Sequence, residues 1–526
     1  MPTHTLISPS QKRIDTALVH RIGQSLDEMK DDQLNLYLAD TVYKERHRLQ
    51  QEKDPFDDPE KEAIESLARS LLSGKKEMTS AAEHLVRSYS HEIHNRFSER
   101  TFGAATKLLP PALNRLLSSS GPSKLLGAGF DAASRIVVQG PVDQIRSLSE
   151  NHTLVYAPTH LSNLDSPLLG YALHAAGLPP CIYGAGLNLF TNPAMSFFMS
   201  RLGAYTVDRR KKHRLYKDVL KAYSTELIGL GAHSLFFPGG TRSRSGLIES
   251  SLKRGLLGTA ITAWQEGLAE NRDKPEIIVV PCTITFSLVL EAETLIEDSL
   301  ASEGKARYII TDDEFSEPST VMQYGRRVLN TDSSVIIRFG DPIDLIGNKV
   351  DDSGRSMDNH GRSFDRREYV SNRSGELVRD LQRDRMYTNQ LAQSLCKAYQ
   401  QDNVVLPTHL AAMAGWTALK RRYPRLDTYQ LVLLSSHERW VDRGETLTIL
   451  NDLLQQVRKL EEQGRVHTHL PTTADDLLQK AVASFSRFHR NATLEFEDWR
   501  ILVDPKLALY YSNRLAGYRL ALTEKA

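Results

Sequence analysis

His160 and Asp165 are the two residues whose types and spacing first suggest chemistry. An apolar run over 154–157 predicts a buried strand, Pro158 ends it because proline has no N–H to donate, and a helix is predicted after Asp165. Residues five apart on one helix lie about 140° apart around its axis and do not share a face. The two side chains can therefore touch only if His160 lies in the loop between the strand and the helix and Asp165 lies in the first turn of the helix. The aspartate would then hold one ring nitrogen while the other takes a proton from an alcohol. The alternative is a histidine and an N-cap aspartate that only complete a loop, and this stretch alone favours that interpretation.

Length and composition bound the class of protein. A chain of 526 residues is long enough for two or three domains or one large elaborated domain. Lys and Arg number 66 against 65 Asp and Glu, which argues against a nucleic-acid binder. Three widely separated cysteines show no metal or disulfide spacing, so a reducing compartment is expected, with neither a metal nor a cofactor. The N-terminus lacks a signal-peptide core, and no apolar run approaches the roughly 18 residues of a spanning helix, so membrane contact is expected only at the surface.

Hydrophobic periodicity divides the chain into four regions. Residues 1–102 predict helices, and residues 103–346 predict an α/β domain, an open sheet of mostly parallel strands flanked by helices. Within the latter, the apolar and lightly basic stretch 103–130 is either a membrane-surface segment or a connector, and the connector is favoured. Residues 347–374 are rich in Gly, Ser and Asp and predict an exposed loop or linker, and residues 375–526 again predict helices. We find no internal repeat.

Two further segments follow predicted strands and carry positive charge. Ligands of open α/β sheets bind beyond the carboxyl ends of the strands, which is where His160 would lie. The run AYTV leads into a basic stretch that begins at Asp208 and ends at Arg214. Such a stretch is usually a solvated surface, but directly after a strand it would place positive charge near the same cleft.

The second segment is PGGTRSRSG, which follows the predicted strand SLFF. Its candidate ligand-binding residues are Gly239, Gly240, Thr241, Arg242, Ser243 and Arg244. Glycines let backbone approach a ligand closely, hydroxyls donate hydrogen bonds, and arginine suits forked binding of phosphate. The alternative is a turn with exposed arginines. Taken together, a candidate base and two arginine-bearing loops indicate transfer to a hydroxyl on a phosphorylated substrate.

Four segments, in this order, resemble the sequence blocks of the glycerolipid acyltransferase superfamily. They are H-x-x-x-x-D at His160 and Asp165, GAYTVDR, FPGGTRS and IIVVPCTITF, the last of which matches an apolar strand that ends in Val-Pro. Further segments, GAGLNLF, LYKDVLKAYSTELI, TRSRSG and the C-terminal LALYYSNRLAGY, are similar to the glycerol-3-phosphate and dihydroxyacetone-phosphate acyltransferases rather than to the shorter lysophosphatidate enzymes.

The resemblance implies the acyltransferase fold and a function for each matching residue. His160 would be the general base on the glycerol hydroxyl and Asp165 its orienter, while Arg209, Arg242 and Arg244 would bind the acceptor phosphate. The hydroxyl of glycerol-3-phosphate would attack the thioester of acyl-CoA or acyl carrier protein, without an acyl-enzyme intermediate. The protein would act in phospholipid synthesis as a peripheral protein on the cytoplasmic, inner face of the cell membrane.

Three departures from the family pattern keep other functions open. Gly239 stands where the family carries a glutamate, Leu161 where the glycerol-3-phosphate enzymes usually carry arginine, and Ser166 where they usually carry tyrosine. The acceptor could instead be lysophosphatidate or another lysolipid, and water as acceptor would make the protein a thioesterase. From a different class, it could be a catalytically inactive lipid- or acyl-carrier-binding protein.

Overall fold

The computed structural model describes residues 8–51, 58–105, 136–187, 193–303, 335–485, 489 and 491–521. Within them, the α/β class predicted from the sequence is confirmed, since a mostly parallel sheet is flanked by helices. Most of the stretch 103–130 and the predicted strand RYII lie outside the described residues.

The strands are β1 (Ile136–Gln139), β2 (Thr153–Pro158), β3 (Ile182–Gly186), β4 (Ala204–Val207), β5 (Ser234–Leu235), β6 (Ile277–Phe286), β7 (Val335–Phe339), β8 (Ser356–Met357), β9 (Ser363–Phe364), β10 (Val404–Val405), β11 (Trp440–Asp442), β12 (His467–Thr468), β13 (Leu494–Glu497) and β14 (Arg500–Val503). The helices are α1 (Gln11–Asp27), α2 (Asp31–Gln51), α3 (Asp58–Ser70), α4 (Lys75–Ile93), α5 (Val142–Asn151), α6 (Asp165–Ala175), α7 (Pro193–Arg201), α8 (Arg214–Gly229), α9 (Arg254–Ala269), α10 (Ala292–Glu303), α11 (Leu381–Gln401), α12 (Pro407–Arg422), α13 (Thr428–Val432), α14 (Arg443–Glu462), α15 (Ala474–Phe485) and α16 (Pro505–Ser512).

The large sheet has seven strands in the order β1-β7-β6-β2-β5-β3-β4. Strands β2 to β6 run parallel to one another, β7 is antiparallel to β6, and β1 is parallel to β7. β6 does not end at Pro281, as the matching block suggested, but continues to Phe286, because β7 pairs with its last five residues from Cys282 onward. Strands β2, β5 and β6 therefore lie side by side with their carboxyl ends at one edge.

Strand β2 lies at the centre of the sheet and is buried on both faces. Leu154 and Tyr156 belong to one hydrophobic core, whereas Val155 and Ala157 belong to the core on the opposite face. Burial on both sides explains why this strand is a continuous apolar run rather than an alternation of apolar and polar residues. The turn after it thus begins at a fully buried strand.

The N-terminal helices pack on the β4 edge of the sheet. Helices α1, α2 and α4 contact α8, and α4 also contacts β4. Their core is continuous with that edge, since Leu18, Leu38 and Leu85 share one apolar cluster with Tyr205 and Tyr223. The helical prediction for the N-terminal region is confirmed in its described part, and these helices complete the sheet rather than forming a separate core.

A seven-residue repeat shapes the polar segment that was predicted as a loop or linker. Five residues recur at this spacing: Asp344, Asp351, Asp358, Asp365 and Asn372. Each side chain accepts a hydrogen bond from the backbone N–H two residues further on, which forms a tight turn. Short antiparallel bridges join several of these turns. The expectation of no internal repeat is therefore wrong, because a turn recurs every seven residues, with a glycine three positions after four of these five residues.

The C-terminal helices continue the core of the sheet. Leu410 in α12 and Leu453 in α14 belong to the same apolar cluster as Tyr156, and α11 packs against α9. The helical prediction for this region is confirmed, but the small sheet β11-β14-β13 is not predicted from the sequence. Among the described residues, no helix is long and apolar enough to cross a membrane.

His409 in α12 predicts how the fold responds to acid. It is buried, and burial, with a smaller effect of the positive Arg514, lowers its pKa from 6.5 to about 3. A histidine of lowered pKa costs stability as the pH falls from 6.5 towards 3, by up to about 1.4 kcal/mol per pH unit. We expect the urea midpoint of His409→Gln to fall less between pH 7 and pH 5 than that of the native chain. His360, which is exposed, is the matched control, and equal slopes for His409→Gln and the native chain would contradict the prediction.

Candidate active site

The loops that follow β2, β5 and β6 meet at the carboxyl edge of the sheet. The N–H of Ser243, after β5, donates to the carbonyl of His160, after β2, at 2.8 Å. Arg242 from the same loop donates through Nη1 to Oε1 of Glu291, after β6, at 3.1 Å. Adjacent parallel strands thus bring together the two segments that the sequence analysis singled out, which lie some 80 residues apart along the chain.

His160 and Asp165 are in direct contact. Nδ1 of the imidazole lies 2.7 Å from Oδ2 of the carboxylate. Asp165 is fully buried at the first residue of α6, and the same oxygen accepts the N–H groups of Leu161 at 2.6 Å and Ser162 at 2.9 Å. Three donors on one oxygen fix the carboxylate, so it can orient the imidazole.

The imidazole of His160 is also held by its ring face. It stacks on Phe237 with the ring centroids 4.2 Å apart, and 14% of the side chain is exposed. Because Nδ1 faces a carboxylate, Nδ1 carries the proton in the neutral ring and Nε2 is the basic nitrogen. Nε2 has no hydrogen-bond partner among the residues that the structure describes. The arrangement can accept a proton from a bound hydroxyl.

Glu291 links this turn to Arg242. Its Oε2 accepts the hydroxyl of Ser162 at 2.9 Å, and its Oε1 accepts the N–H of Asn163 at 3.0 Å as well as the guanidinium of Arg242. Burial raises the pKa of Glu291, against the opposing effect of the hydrogen bond from Asn163 and the charge of Arg242. The predicted phosphate ligand Arg242 is therefore oriented by a buried carboxylate that also holds the loop beside His160.

The rest of the PGGTRSRSG loop forms a tight turn with a further cation beside it. Gly240 has φ +77, and a Cβ there would lie 2.7 Å from Nζ of Lys253, so only glycine fits without strain. Lys253 is exposed and donates its backbone N–H to Pro238. The candidates Gly239, Thr241, Ser243 and Arg244 lie in this turn, and Ser243 Oγ is used to hold Leu247 O. The sequence analysis missed Lys253, which carries no motif signal.

Arg209 lies further along the same edge of the sheet. It follows β4, which is two strand spacings, or about 10 Å, from β5, the strand that precedes the loop of Arg242. Its side chain is exposed at the same edge of the sheet. The expectation that it shares one phosphate site with Arg242 therefore has no support in the described contacts.

The basic stretch around Arg209 is neutralised in part by neighbouring carboxylates. Arg210 pairs with Asp208 at 2.8 Å. Lys211 is buried between Glu60, at 2.7 Å, and Glu92, both from N-terminal helices. Carboxylates more than a hundred residues away in sequence thus cover Lys211, while Arg209 and Lys212 stay exposed, so the prediction of positive charge at this edge of the sheet applies to part of the stretch.

The C-terminal segment packs against the PGGTRSRSG loop. Gly246 has φ +81, and a Cβ there would lie 2.2 Å from the carbonyl oxygen of Tyr510 in α16. Nδ2 of Asn513 donates to the carbonyl of Ser245 at 2.8 Å. The segment LALYYSNRLAGY, which resembles the end of the family's sequences, thus lies directly against the third block.

Comparison with known proteins finds similarity over the segment that carries this site. The model of the family described as Acyltransferase matches residues 139–285. This segment contains β2, β5 and most of β6, together with His160, Asp165 and Arg242.

Residues 139–285 form an acyltransferase domain. Over 205 residues the chain is 33% identical to a glycerol-3-phosphate acyltransferase of Pseudoalteromonas translucida (strain TAC 125), a match that covers 39% of this chain and 23% of the relative. It is 37% identical over 164 residues to one from Actinobacillus pleuropneumoniae serotype 5b (31% of this chain, 19% of the relative) and 39% identical over 155 residues to one from Haemophilus ducreyi (29% and 18%). The chain thus spans about a fifth of the length of these relatives.

Among solved structures, the chain matches the 1-acyl-sn-glycerophosphate (LPA) acyltransferase PlsC from Thermotoga maritima over 63% of its own length and 85% of that chain. The identity is 14% and the TM-score is 0.26, which is too low to carry a conclusion about fold or substrate.

Two glutamates of this candidate site were not predicted from the sequence. Glu291 lies beyond the matched segment, and Glu249 follows the third block without a recognisable motif. Oε1 of Glu249 accepts the backbone N–H of His160 at 2.7 Å. Lone glutamates outside a periodic pattern carry no sequence signal, so only tertiary contacts reveal them.

Proposed function

We propose that this chain transfers a fatty acyl group from a thioester donor, acyl-CoA or acyl carrier protein, to a hydroxyl of glycerol-3-phosphate. The observation that carries the proposal is the 2.7 Å contact between His160 and Asp165, with Nε2 of the histidine unused by the described residues. Arg242 lies in the adjoining loop and supplies a cation for the acceptor phosphate. The similarity to glycerol-3-phosphate acyltransferases supports this acceptor.

The proposed reaction needs no covalent enzyme intermediate. Nε2 of His160 removes the proton of the acceptor hydroxyl as its oxygen attacks the thioester carbonyl carbon. Asp165 stabilises the imidazolium that forms. Collapse of the tetrahedral intermediate breaks the C–S bond, and the leaving thiolate takes the proton from His160. One ester and one free thiol are produced, and the histidine returns to its neutral form.

The function is tested by thiol release from acyl-CoA and from acyl carrier protein. Each donor is offered with no acceptor, glycerol-3-phosphate, dihydroxyacetone phosphate or lysophosphatidate. We expect release that depends on glycerol-3-phosphate. Release with lysophosphatidate but not with glycerol-3-phosphate would show that lysophosphatidate is the acceptor. Release without any acceptor would indicate a thioesterase. No release under any condition would favour an inactive binding protein.

We further propose that the protein acts as a peripheral protein at the cytoplasmic, inner face of the cell membrane, because its acylated product is a lipid. A peripheral protein is held by surface contacts and charge, which salt or alkali weakens. We expect high-salt or alkaline washing to release the native chain from membrane fractions. Retention that yields only to detergent would contradict this proposal.

A further inference from the structure

The side chain of Glu249 fills the space beside Gly239. A Cβ placed on Gly239 would lie 3.3 Å from Cγ of Glu249 and 3.5 Å from its Oε1. Position 239 is where the family resemblance leads us to expect a glutamate. A carboxylate is therefore present at this place in the fold, although it comes from a residue ten positions further along the chain.

Glu249 is tied to the catalytic turn. Its Oε1 accepts the N–H of His160 at 2.7 Å, which fixes the main chain from which the imidazole projects. Its backbone belongs to the segment that connects the PGGTRSRSG loop to α9. One side chain thus sets the distance between the loop of His160 and the loop of Arg242.

The second oxygen of Glu249 is shielded from solvent without a hydrogen-bond partner among the described residues. Burial raises the pKa of this carboxyl, which the hydrogen bond from His160 and then the charge of Arg514 oppose. Arg514 is itself buried, and its Nη1 likewise lacks a partner in the part of the chain that the structure describes. Buried polar atoms without partners destabilise a fold, and a functional requirement is a common reason for their retention.

We propose that Glu249 supplies the carboxylate that is absent at position 239 and thereby positions the turn of His160. This inference rests on the proposed acyl transfer. Glu249 acts through His160 and the adjoining turn, so it is a positioning residue rather than a catalytic one. The side chains at 239 and 249 compete for one space, so a long side chain at 239 requires a small one at 249.

The test is to remove the carboxylate at position 249 and place one at position 239. We expect Glu249→Ala to lower kcat/KM for glycerol-3-phosphate by ~10²-fold, because a small misplacement of the base spoils the attack geometry. The KM for acyl-CoA should change little. In the double variant Gly239→Glu/Glu249→Ala, a carboxylate returns to the same space, and we expect at least a tenfold recovery. Gly239→Glu alone should be impaired, since Glu249 already occupies that space.

Two further variants keep the test decisive. Glu249→Gln retains an oxygen for the N–H of His160 but removes the charge, and we expect its kcat/KM to fall at least threefold. If a melting curve shows that Glu249→Ala does not fold, Glu249→Gln takes its place in the test. Glu150, exposed at the end of α5, is the matched control and Glu150→Ala should leave the kinetics unchanged.

The outcomes separate the two proposals. An active native chain with Glu249 variants that stay within threefold of it, or a folded double variant as impaired as Glu249→Ala, would overturn the inference and leave the proposed function standing. A native chain with no acyl transfer to any of the acceptors would overturn both.

Discussion

Replacing His160 by alanine is expected to leave the fold intact and to lower kcat at least ~10²–10⁴-fold, the range that general-base catalysis supplies. Among the described residues the side chain is held by Asp165 and by stacking on Phe237, so its removal disturbs few of the described contacts. Acceptor and donor KM values should change much less than kcat, because the imidazole acts on the transferred proton. Steady-state kinetics on the purified variant measures each of these quantities.

Asp165→Asn should also be severe. An amide can no longer stabilise the imidazolium, and an equivalent change in a serine-protease triad lowers kcat roughly 10⁴-fold. Since Asp165 also holds the N–H groups of two loop residues, a melting curve must accompany the kinetics. His174, exposed on the same helix, is the matched control for histidine removal. Near-normal turnover in folded His160→Ala or Asp165→Asn would exclude the pair from the mechanism.

Removing the guanidinium with Arg242→Ala is expected to cost about 2–5 kcal/mol, or roughly 30- to 5,000-fold in kcat/KM for the acceptor. Arg242→Lys keeps the charge but loses the planar fork, so the acceptor KM should rise with a smaller loss overall. If the contact between Arg242 and the acceptor phosphate also aligns the acceptor hydroxyl with His160, kcat should fall too. The acceptor and the donor are varied separately, and the donor KM should be nearly constant.

Glu291 allows the binding role of Arg242 to be separated from a structural one. Arg242→Ala leaves a buried carboxylate without its cation, and this alone can lower activity. We therefore expect Glu291→Gln in the Arg242→Ala background to restore thermal stability but not acceptor affinity. Recovery of normal acceptor kinetics in the double variant, or unchanged kinetics in folded Arg242→Ala, would remove Arg242 from the phosphate site.

Local sequence patterns predicted most of the sheet and the central pair of residues. Fully buried strands such as β2 and β6 are long apolar runs, so the hydrophobic pattern identifies them directly. The predicted strand, turn and helix start gave the geometry in which His160 and Asp165 touch, and the family resemblance favoured this contact over a plain loop. Each of these inferences depends on interactions that are local in the chain.

The remaining features depend on contacts between distant segments. Glu249 and Glu291 meet the turn of His160 from 89 and 131 positions away (249 minus 160, 291 minus 160), and neither belongs to a pattern. The partners of Lys211 come from the N-terminal helices, so the basic stretch could not be assigned to the interior. The seven-residue repeat escaped notice because side-chain hydrogen bonds within each turn, rather than buried apolar residues, define it.

The N-terminal helices have a consequence for the edge of the sheet. Strand β4 is the last strand, and an uncovered edge strand offers its free backbone groups to other chains. Helix α4 packs against it, and the cluster around Tyr205 keeps the apolar flank out of water. A shortened version that begins at β1 would expose this flank together with the buried charge of Lys211. We expect such a version to self-associate more readily than the native chain, because the N-terminal helices that cover this edge would be missing.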